Sequence, residues 1–182
     1  MSFVISAIVI VIVFWFVIVY NKFVKDKNLI REAWSGIDVQ LKRRNDLIPN
    51  LVDAVKAYSG YEKSLFEKIT ELRNKTSTQQ QVKEKAHTEN DITKAIVNLF
   101  AVAEAYPDLK ASTNFLDLQK ELAETEDQLQ YARRYYNGVV RDYNIRVESF
   151  PSNLIANTFN YKVEDYFEIE LASERLSPQV KI

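Results

Sequence analysis

The chain has a single histidine, His87, and histidine is the side chain most often recruited for proton transfer and metal binding near neutral pH. With Glu84 it makes a Glu-x-x-His step, half of the paired motif with which carboxylate-bridged di-iron bundles hold their metals. That chemistry takes two such motifs. Here there is one, set in a polar stretch over residues 74–90 with little to bury, so neither a metal nor any other cofactor is expected. Gly36, Gly60 and Gly138 are the only glycines, which leaves no Gly-rich phosphate loop and no serine nucleophile flanked by glycines. Cysteine is absent, and with it disulfides, thiolate metal sites, a cysteine nucleophile and a lipoprotein anchor. The expectation is a non-enzymatic protein.

A second kind of chemistry needs a charge where the pattern asks for an apolar residue. Arg44 is such a charge. It falls in a row of apolar positions, Ile30, Trp34, Ile37, Leu41, Ile48, Leu51, Val55, Tyr58, Leu65, Ile69 and Leu72, that repeat every three then four residues; Glu62 is the only other charge on that seam. A buried guanidinium must meet a carboxylate or a carbonyl. Glu126 is the expected partner, with Arg133 beside it in a structural polar layer; Glu62 and Asp46 are alternatives. The plain reading is a layer that fixes helix register, and the functional one is a pocket for a ligand or partner inside the bundle. On either account Arg44→Leu is expected to be tolerated and Glu126→Ala to cost more, because an orphaned buried charge is worse than none.

These residues need helices to position them. Gly and Pro are scarce, and the Arg44 seam extends toward Arg73, with Pro49 expected to kink the helix rather than split it because Ile48 and Leu51 stay in phase. Ile92, Ile96, Leu99, Ala103 and Tyr106 predict a shorter second helix that ends before Pro107. Leu118, Leu122, Thr125, Leu129, Ala132, Tyr136, Val139, Tyr143, Arg146 and Phe150 predict a long one, stopped by Pro151, and a short helix follows near Leu154. Residues 74–90 read as a connection with frayed helix ends. Tyr131, Tyr135, Tyr136 and Tyr143 alternate with Arg133, Arg134 and Arg141, a spacing better suited to core and flank than to base stacking.

Residues 3–20 carry no charge and have only Ser6 as a clearly polar side chain, close to the roughly 20 apolar residues that cross a bilayer. The basic leader and small-residue cleavage site of a secretory signal are missing, so a retained anchor is expected. Lys22, Lys25, Lys27 and Arg31 follow it and no Lys or Arg precedes it, which by the positive-inside rule puts the short N-terminus outside and the C-terminal domain in the cytoplasm. The predicted organisation is an anchor over 1–24, a helical bundle over 25–158 and an aromatic-rich tail over 159–182. The fold class is all-α, a transmembrane helix continuing into an antiparallel bundle of about four long helices.

The segments EAWSGIDVQLKRRNDLIPNLVDAVKAY from Glu32, FAVAEAYPDLKAS from Phe100 and LQKELAETEDQLQYARRYYNGVVRDYN from Leu118 resemble the LemA family. The resemblance runs from the anchor to the tail, apart from the polar stretch. It implies a single-pass protein of the bacterial cytoplasmic membrane with a helical bundle, in a family with no well-defined activity.

The net charge of −1 is spread over interleaved acids and bases, which gives no footprint for nucleic acid. Two function classes remain. One is a membrane-anchored scaffold or adaptor that self-associates as a homo-oligomer or binds another envelope protein. The other is a lipid-binding or remodelling module that uses Lys22, Lys25, Lys27, Arg31, Lys42 and Arg43 near the headgroups. The tail bears on this choice: Phe159, Tyr161, Tyr166 and Phe167 are too apolar for a solvated end, so they either fold back over the bundle or dock on a neighbouring subunit.

Overall fold

The computed structural model describes residues 1–58, 63–79 and 81–168. Among them are six helices and no strand: α1 (Ser2–Lys56), α2 (Lys63–Thr78), α3 (Val82–Ala103), α4 (Pro107–Lys110), α5 (Thr113–Glu148) and α6 (Ser152–Thr158). α1 runs from the apolar N-terminus into the domain as one helix with Pro49 inside it, so the proline does not split it. Its first thirteen side chains are all exposed, which is the state expected of a segment made for lipid. One such helix, long and apolar enough to cross a membrane, is present among the described residues.

The chain divides into two compact units. The first comprises Met1–Leu41 and Asp127–Tyr166; the second comprises Lys42–Glu126 together with Phe167 and Glu168. In the first unit α5 runs antiparallel to α1, with Tyr136 against Trp34 at 5.5 Å and Tyr143 against Phe23 at 6.1 Å between ring centroids. α6 adds the buried Ile155 and Ala156. In the second unit Ile48, Leu51, Val52 and Val55 of α1 join Phe66 and Ile69 of α2, Ile92, Ile96 and Leu99 of α3, Leu109 of α4, and Phe115 and Leu122 of α5 in one core.

Three sequence-based expectations change. α1 ends at Lys56 rather than near Arg73, closing with a turn in which the Tyr58 N–H donates to the Val55 carbonyl (3.1 Å). Tyr58 is exposed. Val55 and Ile69 stand two heptads apart in sequence, so the seam keeps its phase across the break and periodicity could not register it. Glu62 lies outside the described residues.

The polar stretch is not a simple connection, for α2 continues to Thr78 and α3 starts at Val82, burying Ala86, Thr88, Glu89 and Asn90. The long α5 seam stops short of its last member, Phe150, which is 80% exposed. Tyr106, held extended before Pro107 as its position requires, separates α3 from α4.

Candidate functional site

Two arrangements stand out, one in each unit. In the second unit the Arg44 side chain is completely buried. Its Nη1 donates to the Thr93 hydroxyl at 3.0 Å and to Glu126 Oε1 at 2.5 Å, while Nη2 is paired with the Glu89 carboxylate. The Thr93 hydroxyl donates in turn to the Glu89 carbonyl, 3.1 Å away. Glu89 is as fully buried as Arg44, whereas the Glu126 side chain keeps about a quarter of its surface, 26%, in contact with solvent. Three helices, α1, α3 and α5, are thus tied through one guanidinium, whose planar fork can serve two carboxylates at once.

Glu89 lies in the stretch read as a connection. The signal that could have found it is the α3 seam carried back one step, since Glu89, Ile92, Ile96, Leu99 and Ala103 alternate three and four. With two carboxylates on one guanidinium, removing Arg44 leaves two acids without their cation instead of relieving one, so the geometry predicts that Arg44→Leu destabilises the domain. Arg133 is also buried and belongs to the first unit. Of the polar layer anticipated from Arg44, Glu126 and Arg133, the Arg44–Glu126 pair is present, and Glu89 joins it.

The first unit carries an aromatic ladder. Phe23, fully buried, stacks on Tyr161 with centroids 4.7 Å apart and planes 11° from parallel, and it meets Tyr143 edge-on. Phe159 lies on Tyr20 at 4.9 Å and on Phe16 at 5.9 Å. The tail is pinned by polar contacts as well. The Asn144 side-chain amide donates to the Glu164 carbonyl and its oxygen accepts from the Glu164 N–H, both at 2.9 Å; the Tyr136 phenol donates to the Asp165 carbonyl at 3.0 Å. Burial, with Glu164 and Asp165 nearby, pushes the Tyr136 phenol up to about 12; burial, then Glu164, does the same for Tyr143.

Of the four tail residues singled out from the sequence, Phe159 and Tyr161 lie on α1, Tyr166 is half-buried and Phe167 is buried. The part of the tail beyond Glu168 lies outside the described residues. Among the membrane-flanking bases Lys22, Lys25 and Arg31 are exposed, whereas Lys27 is paired with Glu164 at 3.0 Å. Arg146 is held by Asp26 at 2.6 Å. His87 is exposed, 3.5 Å from the Asp91 carboxylate, and among the described residues no three His, Cys, Asp or Glu side chains converge as a metal site would need.

The fold and these sites define a membrane-associated, all-α bundle protein in which the charged interior ties helices together. The family model described as the LemA family matches residues 33–182, and the chain belongs to that family. Protein LemA of Metamycoplasma hominis is 30% identical over 166 residues, covering 87% of this chain and 75% of that protein. Magnetosome protein MamQ 2 of Paramagnetospirillum magneticum is 24% identical over 189 residues, with 88% and 70% covered. Magnetosome protein MamQ of Magnetospirillum gryphiswaldense is 22% identical with the same coverage.

Proposed function

We propose that the protein is a non-enzymatic scaffold or adaptor, held in the bacterial cytoplasmic membrane by its N-terminal helix, that self-associates or engages another envelope protein. The observation that carries this reading is a helix face, rather than a cleft, offered for contact. Tyr131 and Tyr135 stand one turn apart on α5, 61% and 52% exposed, with the Arg134 guanidinium 4.6 Å from the Tyr131 ring centre. Tyrosine and arginine are the side chains enriched where proteins meet. Anchoring supports the same role, since copies confined to a surface meet at a raised effective concentration and a weak contact suffices.

The exposed Lys22, Lys25 and Arg31, with Lys27, favour a cytoplasmic bundle and an outside N-terminus by the positive-inside rule. Native mass measurement on the detergent-extracted chain tests the scaffold. An oligomer that shrinks on Tyr131→Ser/Tyr135→Ser is expected; a monomer that recovers no partner on crosslinking in the membrane overturns it. Strong liposome binding by a fragment from residue 25, lost with Lys42 and Arg43, would instead favour a lipid-surface module.

A further inference from the structure

We propose that the corner joining α5 to α6, residues 149–161, is a second membrane contact: an uncharged aromatic foot resting at the boundary between headgroups and acyl chains beside the span. It rests on the reading that residues 3–20 cross the bilayer.

Register places it there. In the first unit Tyr136 packs at Trp34, Tyr143 at Phe23 and Arg146 at Asp26. Continuing α5 in the same sense brings Phe150 roughly level with Tyr20, at the end of the apolar run. The chain then turns, and Phe159 lands on Tyr20 and Phe16 of the span itself. Tyr20, followed by the exposed Lys22 and Lys25, has the composition of a membrane–water interface, so whatever stands level with it stands at that depth.

The corner's own chemistry agrees, and independently. Phe150 is 80% exposed, Leu154 56% and Phe159 44%, while Ile155 and Ala156 of the same short helix turn inward. Exposed apolar groups of this size, continuous with the bare apolar flank of α1, fit acyl chains better than water. No Asp, Glu, Lys or Arg occurs from 149 to 161 in a chain that is 27% charged; Glu148 and Lys162 bracket the gap. A charge carried into this layer would have to shed water, whereas Ser, Thr and Asn suit headgroups.

Much of the backbone is also bonded within the corner. The N–H groups of Asn153, Leu154, Phe159 and Tyr161 donate to the carbonyls of Ser149, Pro151, Ile155 and Ala156 at 2.8–3.2 Å. The Ser152 hydroxyl lies 2.7 Å from the Arg146 carbonyl and 2.9 Å from that of Ser149, at the end of α5. A segment whose polar backbone is internally bonded can enter a dry layer at little cost. Two points of attachment, span and foot, fix the rotation of the first unit about the span axis, which a single helix leaves free.

The cysteine-free chain makes the test direct. Single variants Phe150→Cys, Leu154→Cys, Ile10→Cys and Tyr131→Cys, all at exposed positions, are spin-labelled in the full chain and reconstituted in phosphatidylcholine–phosphatidylglycerol vesicles. Collision with oxygen, which concentrates in lipid, is compared with collision with a water-soluble nickel chelate. Tyr131, about 28 Å back along α5 from Phe150, reports the aqueous limit and Ile10 the lipid limit. The oxygen-to-nickel ratio at 150 and 154 is expected severalfold above that at 131 and below that at 10. A ratio at 150 and 154 equal to that at 131, with Ile10 still in lipid, overturns the foot alone. Labels at 150 and 154 shielded from both agents mark a protein contact and overturn it equally. Nickel access at Ile10 would remove the spanning helix, and the foot with it.

Discussion

The two units hold α1 against α5 by opposite means. Nearest the span the contact is an aromatic ladder, Phe23 on Tyr161 and Tyr143, and Trp34 on Tyr136. Beyond Leu41 it is a buried ion cluster, Arg44 with Glu89 and Glu126. Rings gain by leaving water and tolerate small errors in register. A buried guanidinium with two carboxylates tolerates almost none, because a shift of one residue strands charge where water cannot reach it. The contrast assigns a division of labour: the aromatic end grips, and the ionic end decides which residues of α1, α3 and α5 meet.

Arg44→Leu should cause the largest loss, about 3–5 kcal/mol by chemical denaturation of the detergent-solubilised chain, since the fully buried Glu89 and the largely buried Glu126 both lose their cation. If the cluster's role is register, the all-apolar replacement Arg44→Leu/Glu89→Leu/Glu126→Leu should regain most of that stability. A single variant as stable as wild type would end the argument that Glu89 depends on Arg44. Phe23→Ala comes next, at about 3 kcal/mol, the low end for a lost buried ring, because the half-buried Tyr161 can settle into part of the space. A loss larger than that of Arg44→Leu would reverse the ranking of the two regions.

Asn144→Ala removes both bonds to Glu164 and should cost about 1–2 kcal/mol. Hydrogen exchange should show faster exchange at the Glu164 amide while α3 amides stay protected; uniform acceleration would mean that the tail and the second unit open together. The smallest effect is that of Tyr136→Phe, about 1 kcal/mol at neutral pH for the bond to Asp165. Its pH dependence is more informative. An unfolded phenol ionises near 10.0, whereas Tyr136 and Tyr143 hold their protons to about 12 in the fold. Unfolding therefore releases protons in that window, and stability, complete below pH 10, should fall as pH approaches 12. The Phe variant should show a shallower decline from pH 10 to 12, and an unchanged slope would place the titration elsewhere.

Much of this protein is legible in its sequence because it depends on local repetition. The uncharged run, the three-four spacing of Ile30 through Val55 and of Leu122 through Tyr143, and the scarcity of Gly and Pro each prescribe helix and face without reference to any other part of the chain. Arg44 announced itself by breaking such a repeat. What tertiary structure alone decided is whatever joins distant residues: that Glu89, in a polar stretch, is drawn into the core by a guanidinium 45 positions earlier, that α1 stops at Lys56 although the repeat carries on, and that Phe159 and Tyr161 return to the end of the span. Periodicity measures phase along one helix. It carries no information on which helix will stand opposite, and the burial of a charge is set by that neighbour, since only the partner's opposite charge makes the buried position tolerable.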